Sequence, residues 1–132
     1  MARIVVIEDN ADNLALMVYL LEAFGHTVIS AVDGAAGLEA VPREMPDLVL
    51  CDLHLPRIDG YEVCRRLKAD PVLRRIPLVA VTASAMAGDR DRGLAAGFDG
   101  YIAKPIDSER FVPRIERFLP GAEAGRSGGG AE

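Results

Sequence analysis

Apolar residues in this chain fall into short unbroken runs separated by stripes at helical spacing. Ile4-Val5-Val6-Ile7, Leu48-Val49-Leu50-Cys51, Leu78-Val79-Ala80-Val81 and Tyr101-Ile102-Ala103 lack polar alternation, which predicts strands covered on both faces. Residues 27–31 read as a weaker strand. Leu14, Met17, Leu21 and Phe24 recur at helical spacing and Gly25 follows as a stop, so a first amphipathic helix is expected there. A second helix is expected over residues 33–41, weakened by Gly34 and Gly37 and limited by Pro42. A third covers residues 59–69 and ends at Asp70-Pro71. Residues 84–96 predict a fourth helix of small residues with low propensity, expected to be mobile. The last helix is expected to start at Asp107 as N-cap, with Ile106 and Phe111 placed for a hydrophobic staple. Pro113 inside it predicts a kink or two pieces.

Five strands alternating with five helices imply right-handed crossovers and one parallel sheet. The weak second and short fifth strands make natural edges, which favours the order 2-1-3-4-5 of a flavodoxin-like α/β three-layer sandwich. At 132 residues, half of them hydrophobic and 27% charged, the chain has the composition of one folded domain. That domain is placed at residues 1–120. Residues 121–132 are Gly- and Ala-rich, and a disordered tail is expected there. The net charge of -5 gives no footprint for nucleic acid. No run resembles a signal peptide or spans a bilayer, so a cytoplasmic protein is expected. Cys51 and Cys64 have neither CxxC nor zinc-site spacing, and both read as buried, reduced thiols.

The polar residues that close the strands give the chain its chemistry. The first strand runs into Glu8-Asp9, the third into Asp52, the fourth into Thr82 and the fifth into Lys104-Pro105. In open α/β sheets ligands bind at the carboxyl ends of the strands. Adjacent parallel strands would gather three carboxylates, a hydroxyl and an ammonium at one mouth. Clustered carboxylates repel, and a hard divalent cation relieves the repulsion with oxygen ligands. Magnesium is the expected cofactor, and it would screen the acids from a phosphoryl group so that one acid can act as nucleophile.

Taken together, Glu8-Asp9, Asp52, Leu55-Pro56, Asp59-Gly60, Thr82-Ala83 and Lys104-Pro105 resemble the receiver domain of two-component response regulators, of the chemotaxis-regulator type, over roughly residues 1 to 119. The resemblance implies a phosphorylation-dependent signalling switch rather than an enzyme. It implies that Asp52 accepts a phosphoryl group from a phosphohistidine on a sensor kinase or phosphotransfer protein. Asp9, Asp52 and the His54 carbonyl would ligate magnesium directly, and Glu8 through water. Lys104 would pair with phosphoryl oxygen and Thr82 would hydrogen-bond it. The bond before Pro105 would be cis, and Tyr101 would turn inward as Thr82 moves. Asp12, Leu16 and Tyr19 share a face of the first helix, near which similar receivers dock their histidine-bearing partners. The side chains of His54 and Ser84 are expected to govern how water reaches the acyl phosphate.

Other classes fit less well. An aspartate-nucleophile phosphatase needs a DxD motif after the first strand, where this chain has Glu8-Asp9-Asn10. A dinucleotide or P-loop module needs glycines in the first strand-to-helix turn, and Asn10-Ala11-Asp12-Asn13 has none. A receiver portion of a hybrid kinase or longer regulator, and a receiver-like module that never accepts phosphate, remain as alternatives to a stand-alone switch.

Overall fold

The computed structural model describes residues 2–83, 91–92 and 95–119. Five parallel strands form one sheet, β1 (Arg3–Ile7), β2 (Thr27–Ala31), β3 (Leu48–Cys51), β4 (Leu78–Thr82) and β5 (Gly100–Ala103), in the order β2-β1-β3-β4-β5. Helices α1 (Ala11–Ala23), α2 (Gly34–Glu44) and α3 (Gly60–Ala69), a 3-10 turn (Leu73–Arg75) and a C-terminal helix (Phe111–Glu116) complete the described elements. The expected fold class and strand order are those observed.

Successive side chains in a strand point to opposite faces, so each interior strand feeds two cores. Val5, Ile7, Val49, Cys51, Leu78 and Ala80 pack with α2 and α3 through Val41, Val63, Cys64 and Leu67. Ile4, Val6, Leu48, Leu50, Val79 and Val81 pack with α1 and the C-terminal helix through Met17, Leu21, Phe111 and Ile115. Continuous apolar runs are the sequence signature of that double burial.

The first three helices begin at the edge where the strands end, because an acceptor side chain waits there each time. Asn10 caps α1, Asp33 caps α2 and Asp59 caps α3, accepting from the backbone N–H of Asn13, Ala36 and Glu62 at 2.8 to 2.9 Å. Each cap stabilises its helix by about 1 kcal/mol. Gly60, the first residue of α3, lies so close to β3 that a Cβ there would overlap the Asp52 carbonyl oxygen and the Leu53 Cα. The third helix thus seats directly on the strand that ends in Asp52.

Two expectations need correction. Pro42 does not limit α2, which runs on to Glu44 and ends at Met45 in the left-handed region, φ 44°, with the Met45 N–H on the Val41 carbonyl. Pro42 removes one bond of the last turn but sits exposed, while Ala40 and Val41 anchor the helix inside. The last helix begins at Phe111 rather than next to Asp107; Asp107 instead closes a separate turn, accepting from the N–H groups of Glu109 and Arg110. Pro113 is the third helical residue, where an N–H has no partner within the helix, so it costs no helical bond. The expected break at Pro113 is absent: the helix runs through it, and the turn closed by Asp107 precedes the helix. Of the fourth helix, residues 91–92 and 95–96 are helical; the rest of it with its expected mobility, Ser84 and residues 121–132 lie outside the described residues.

At the edge opposite the caps, His26 is buried and saturated. Its Nδ1 accepts from the Ala2 N–H at 3.1 Å, and its Nε2 lies 2.8 Å from Glu116 Oε2. The ring fastens the start of β1, the turn before β2 and the C-terminal helix together.

Both cysteines are free and buried. Burial pushes the Cys64 thiol up to about 11 and the Cys51 thiol well above its ordinary range. The thiolate is the reactive species, so at pH 8 the folded protein should take up iodoacetamide very slowly at both sites and rapidly in urea. Mass spectrometry of labelled protein checks this; prompt native labelling would contradict the packing.

Candidate functional site

Three strands deliver the charged residues. Ile7 and Cys51 are paired across β1 and β3, so Glu8 and Asp52, each one residue further, leave the sheet side by side. β5 carries Lys104 to the same edge, and its N–H donates to the Thr82 carbonyl at 2.9 Å. The bond from Lys104 to Pro105 is cis, as expected. The Lys104 ammonium lies 2.8 Å from Asp52 Oδ2 and 2.6 Å from Glu8 Oε1. The Glu8 contact has ion-pair distance without the alignment of a hydrogen bond, so it acts by neutralising charge. The other oxygens are held by the backbone: the His54 N–H donates to Asp52 Oδ1 at 2.9 Å and the Asn10 N–H to Glu8 Oε2 at 3.1 Å.

Glu8, Asp52 and Thr82 are buried, whereas Asp9 and the His54 side chain are exposed. Carboxylate oxygens of Glu8, Asp9 and Asp52 all lie within 4.8 Å of one another. Three carboxylates face one ammonium, which leaves an excess of negative charge and a set of hard oxygen donors. That set fits a divalent cation.

Burial and pairing divide the acids. Burial pushes the Asp52 carboxyl upward, but the Lys104 ammonium and the His54 N–H outweigh it and hold the group below its ordinary value. For Glu8 burial prevails over the same ammonium and holds the group above its ordinary value. Burial alone would lower Lys104, yet its bond to Asp52 and the neighbouring Glu8 carboxylate keep the ammonium above its ordinary range. Asp52 is thus held as a carboxylate, fixed by the Lys104 ammonium and the His54 N–H at the end of an interior strand.

The remaining expected residues are spread more widely. Tyr101 is half-buried against the α2 and α3 core, with its hydroxyl shielded from water. On α1, Asp12 is exposed and Tyr19 is 70% exposed, but Leu16 is half-buried against the α1-side core and gives that face less apolar surface than its sequence position suggested. Two contributions escaped sequence reasoning. Asn10 both caps α1 and orients Glu8 through its N–H. Arg57, at φ 64°, reaches Asp33 at 3.1 Å and straps the loop after Asp52 to the start of α2. The Asn after the acidic pair was a readable signal for the first; nothing in the sequence pointed to the second.

Residues 4–116 match the family described as the response regulator receiver domain. The chain belongs to that family, and it is a phosphorylation-dependent switch of two-component signalling. It is 41% identical over 116 residues to the polar-differentiation response regulator DivK of Brucella anthropi, covering 88% of this chain and 94% of that one. The receiver domain of a sensor histidine kinase from Pseudomonas aeruginosa PAO1, solved with magnesium in its active-site cleft, is 33% identical with a TM-score of 0.82, over 89% of this chain and 96% of that one. The chemotaxis protein CheY4 of Vibrio cholerae shares the fold with a TM-score of 0.85 at 22% identity, over 90% and 99%. Receiver domains work with histidine kinases or phosphotransfer proteins. Among the described residues no helix is long and apolar enough to cross a membrane.

Removing one partner from a buried ion cluster strands the charges it served, at a cost of about 3 kcal/mol or more. Lys104→Ala should therefore lower unfolding stability by about that amount in urea titrations at pH 7, because Glu8 and Asp52 lose their shared cation. A change within experimental error would show that water already screens the site.

Proposed function

We propose that Asp52 is the phosphoacceptor and that this chain relays a signal by changing its protein-binding face once Asp52 is phosphorylated. The observation that carries the reading is the state of that carboxylate: ionised, buried, held by Lys104 and the His54 N–H, and set against Glu8 and Asp9. In the transfer a carboxylate oxygen of Asp52 forms a bond to phosphorus while the N–P bond of a partner's phosphohistidine breaks. The electron pair stays on the imidazole nitrogen, which takes up a proton. Such a transfer needs chiefly in-line positioning and charge neutralisation.

Asp9, Asp52 and the His54 carbonyl would hold magnesium directly and Glu8 through water. When bound, magnesium supplies charge neutralisation for the acids and the phosphoryl oxygens. Lys104 is placed to follow the charge from Asp52 to the phosphoryl group. Thr82, buried beside it, offers a hydroxyl to the same oxygens, and its movement would let Tyr101 turn further inward. Phosphate adds strong acceptor oxygens, which is the differential interaction a two-state element requires. The chain acts as a signalling protein rather than an enzyme with a separate substrate, in keeping with a donor supplied by a sensor kinase or phosphotransfer protein.

The receiver is proposed to occupy residues 1–120, with residues 121–132 as a tail. A relative of which the chain covers 94% supports a stand-alone role. The similar receiver from a sensor kinase supports the second reading, a receiver portion of a longer protein. Asp12, Leu16 and Tyr19 are proposed to meet the histidine-bearing partner.

Incubation with radiolabelled acetyl phosphate tests the acceptor. Label should enter the wild type with magnesium, fail in excess EDTA, and be lost in Asp52→Asn with an unchanged circular dichroism spectrum. Undiminished labelling of that variant would overturn the assignment. Thr82→Ala should still take label while Tyr101 loses its NMR response to beryllofluoride; a response equal to the wild type would remove Thr82 from the switch.

A further inference from the structure

β2 is an edge of the sheet, and among the described residues only its β1 side is paired. The Thr27 N–H donates to the Ala2 carbonyl at 2.8 Å, and the Ala31 carbonyl accepts from the Glu8 N–H at 2.9 Å. Groups that bond one neighbour alternate along a strand, so Thr27, Ile29 and Ala31 address β1. The N–H and C=O groups of Val28 and Ser30 point away from the sheet.

Exposed edges are ordinarily guarded by charge, proline, a bulge or a covering element. Residues 26–32 contain no Asp, Glu, Lys, Arg, Pro or Gly, and the one titratable side chain, His26, is buried against Glu116. The opposite edge is different, since β5 is bracketed by Asp99 and by Lys104-Pro105. Beside β2 the surface is apolar as well. Tyr19 is 70% and Val32 60% exposed, and a groove of about 500 Å3 follows the junction of α1 with β2, lined there by Ala15, Val18, Tyr19, Glu22, Ser30 and Val32. Glu8 and Asp9 close one end of it.

We infer that β2 pairs antiparallel with β2 of a second copy, about a two-fold axis through Ile29. Val28 of each copy then faces Ser30 of the other, and both pairs exchange their outward N–H and C=O groups. Ile29 meets Ile29, a β-branched cross-strand pair. A strand that pairs with itself must bring no like charges together; this run satisfies that condition in a chain whose net charge is -5. The axis stands perpendicular to the sheet, so the two α1 helices fall on one face, and the flank bearing Tyr19 fills the groove of the other copy. Antiparallel pairing sets the acidic end of one groove against the Gly25-His26 end of the other. The pairing consumes the edge in both copies, which gives a closed dimer.

Sedimentation and light scattering of the purified full chain test this. The wild type should show a concentration-dependent doubling of its 14.1 kDa mass, with slower exchange of the Val28 and Ser30 amides at high concentration than at low. Ser30→Pro removes an outward N–H and leaves the β1 ladder intact, and Ser30→Lys places charge on an exposed edge position; both should return the mass to the monomer. Where Ser30→Pro fails to fold by circular dichroism, Ser30→Lys decides. A wild type that stays monomeric at millimolar concentration, as it would if the edge served a strand of another protein, overturns the inference. So does a dimer that persists in folded Ser30→Lys, or growth beyond a dimer.

Discussion

Two carboxylates and one ammonium share a small buried volume at the carboxyl edge of the sheet, and the rest of the molecule is arranged around keeping them there. Glu8 and Asp52 cannot be neutralised by water at their depth, so Lys104 must reach both, at 2.6 and 2.8 Å. The sheet makes this possible. β1 and β3 set the acids one strand apart, and β4 ties β5 into register through the Thr82 carbonyl. The ammonium leaves the cluster short of positive charge once the exposed Asp9 is included. A site with residual negative charge responds strongly to whatever cation or anion arrives next, which is the property a switch needs.

Most of the architecture was legible because double burial leaves a clear mark. Leu48-Val49-Leu50-Cys51 and Leu78-Val79-Ala80-Val81 admit no polar residue, and both lie inside the sheet. Residues 27–31 hold Thr27 and Ser30, and they form an edge. The strand ends revealed the acids, Thr82 and Lys104 for the same reason: polarity begins abruptly where the core stops. Element boundaries were less readable. Pro42 was given too much weight because its exposure could not be known, and Asp107 was assigned to a helix although it closes a turn three residues earlier.

Long-range polar contacts were invisible to pattern reasoning, since no period or spacing announces them. Lys68 joins α3 to Asp99 at 2.9 Å and to the carbonyls of Arg74 and Ile76, while Asp99 also accepts from the Leu78 N–H. That knot fixes the entry to β4 and β5. His26 and Glu116 do the same for β1 and the C-terminal helix. Both knots lie toward the amino ends of the strands, away from the acids. The sheet is pinned at one end by saturated polar contacts and carries its unbalanced charge at the other, so a new charge acts where the structure is least committed.

Tyr19 is where the two proposed interactions meet. It belongs to the α1 face assigned to the phosphodonor and also borders the groove that a second copy would fill. One side chain cannot serve both surfaces at once. A β2-paired dimer would therefore hold its acceptor sites intact while covering part of the surface through which a donor approaches, and donor binding would favour the monomer. By linkage the two equilibria oppose each other to the same extent in both directions. Self-association would then set how much receiver is available to the donor, without any change at Asp52 itself.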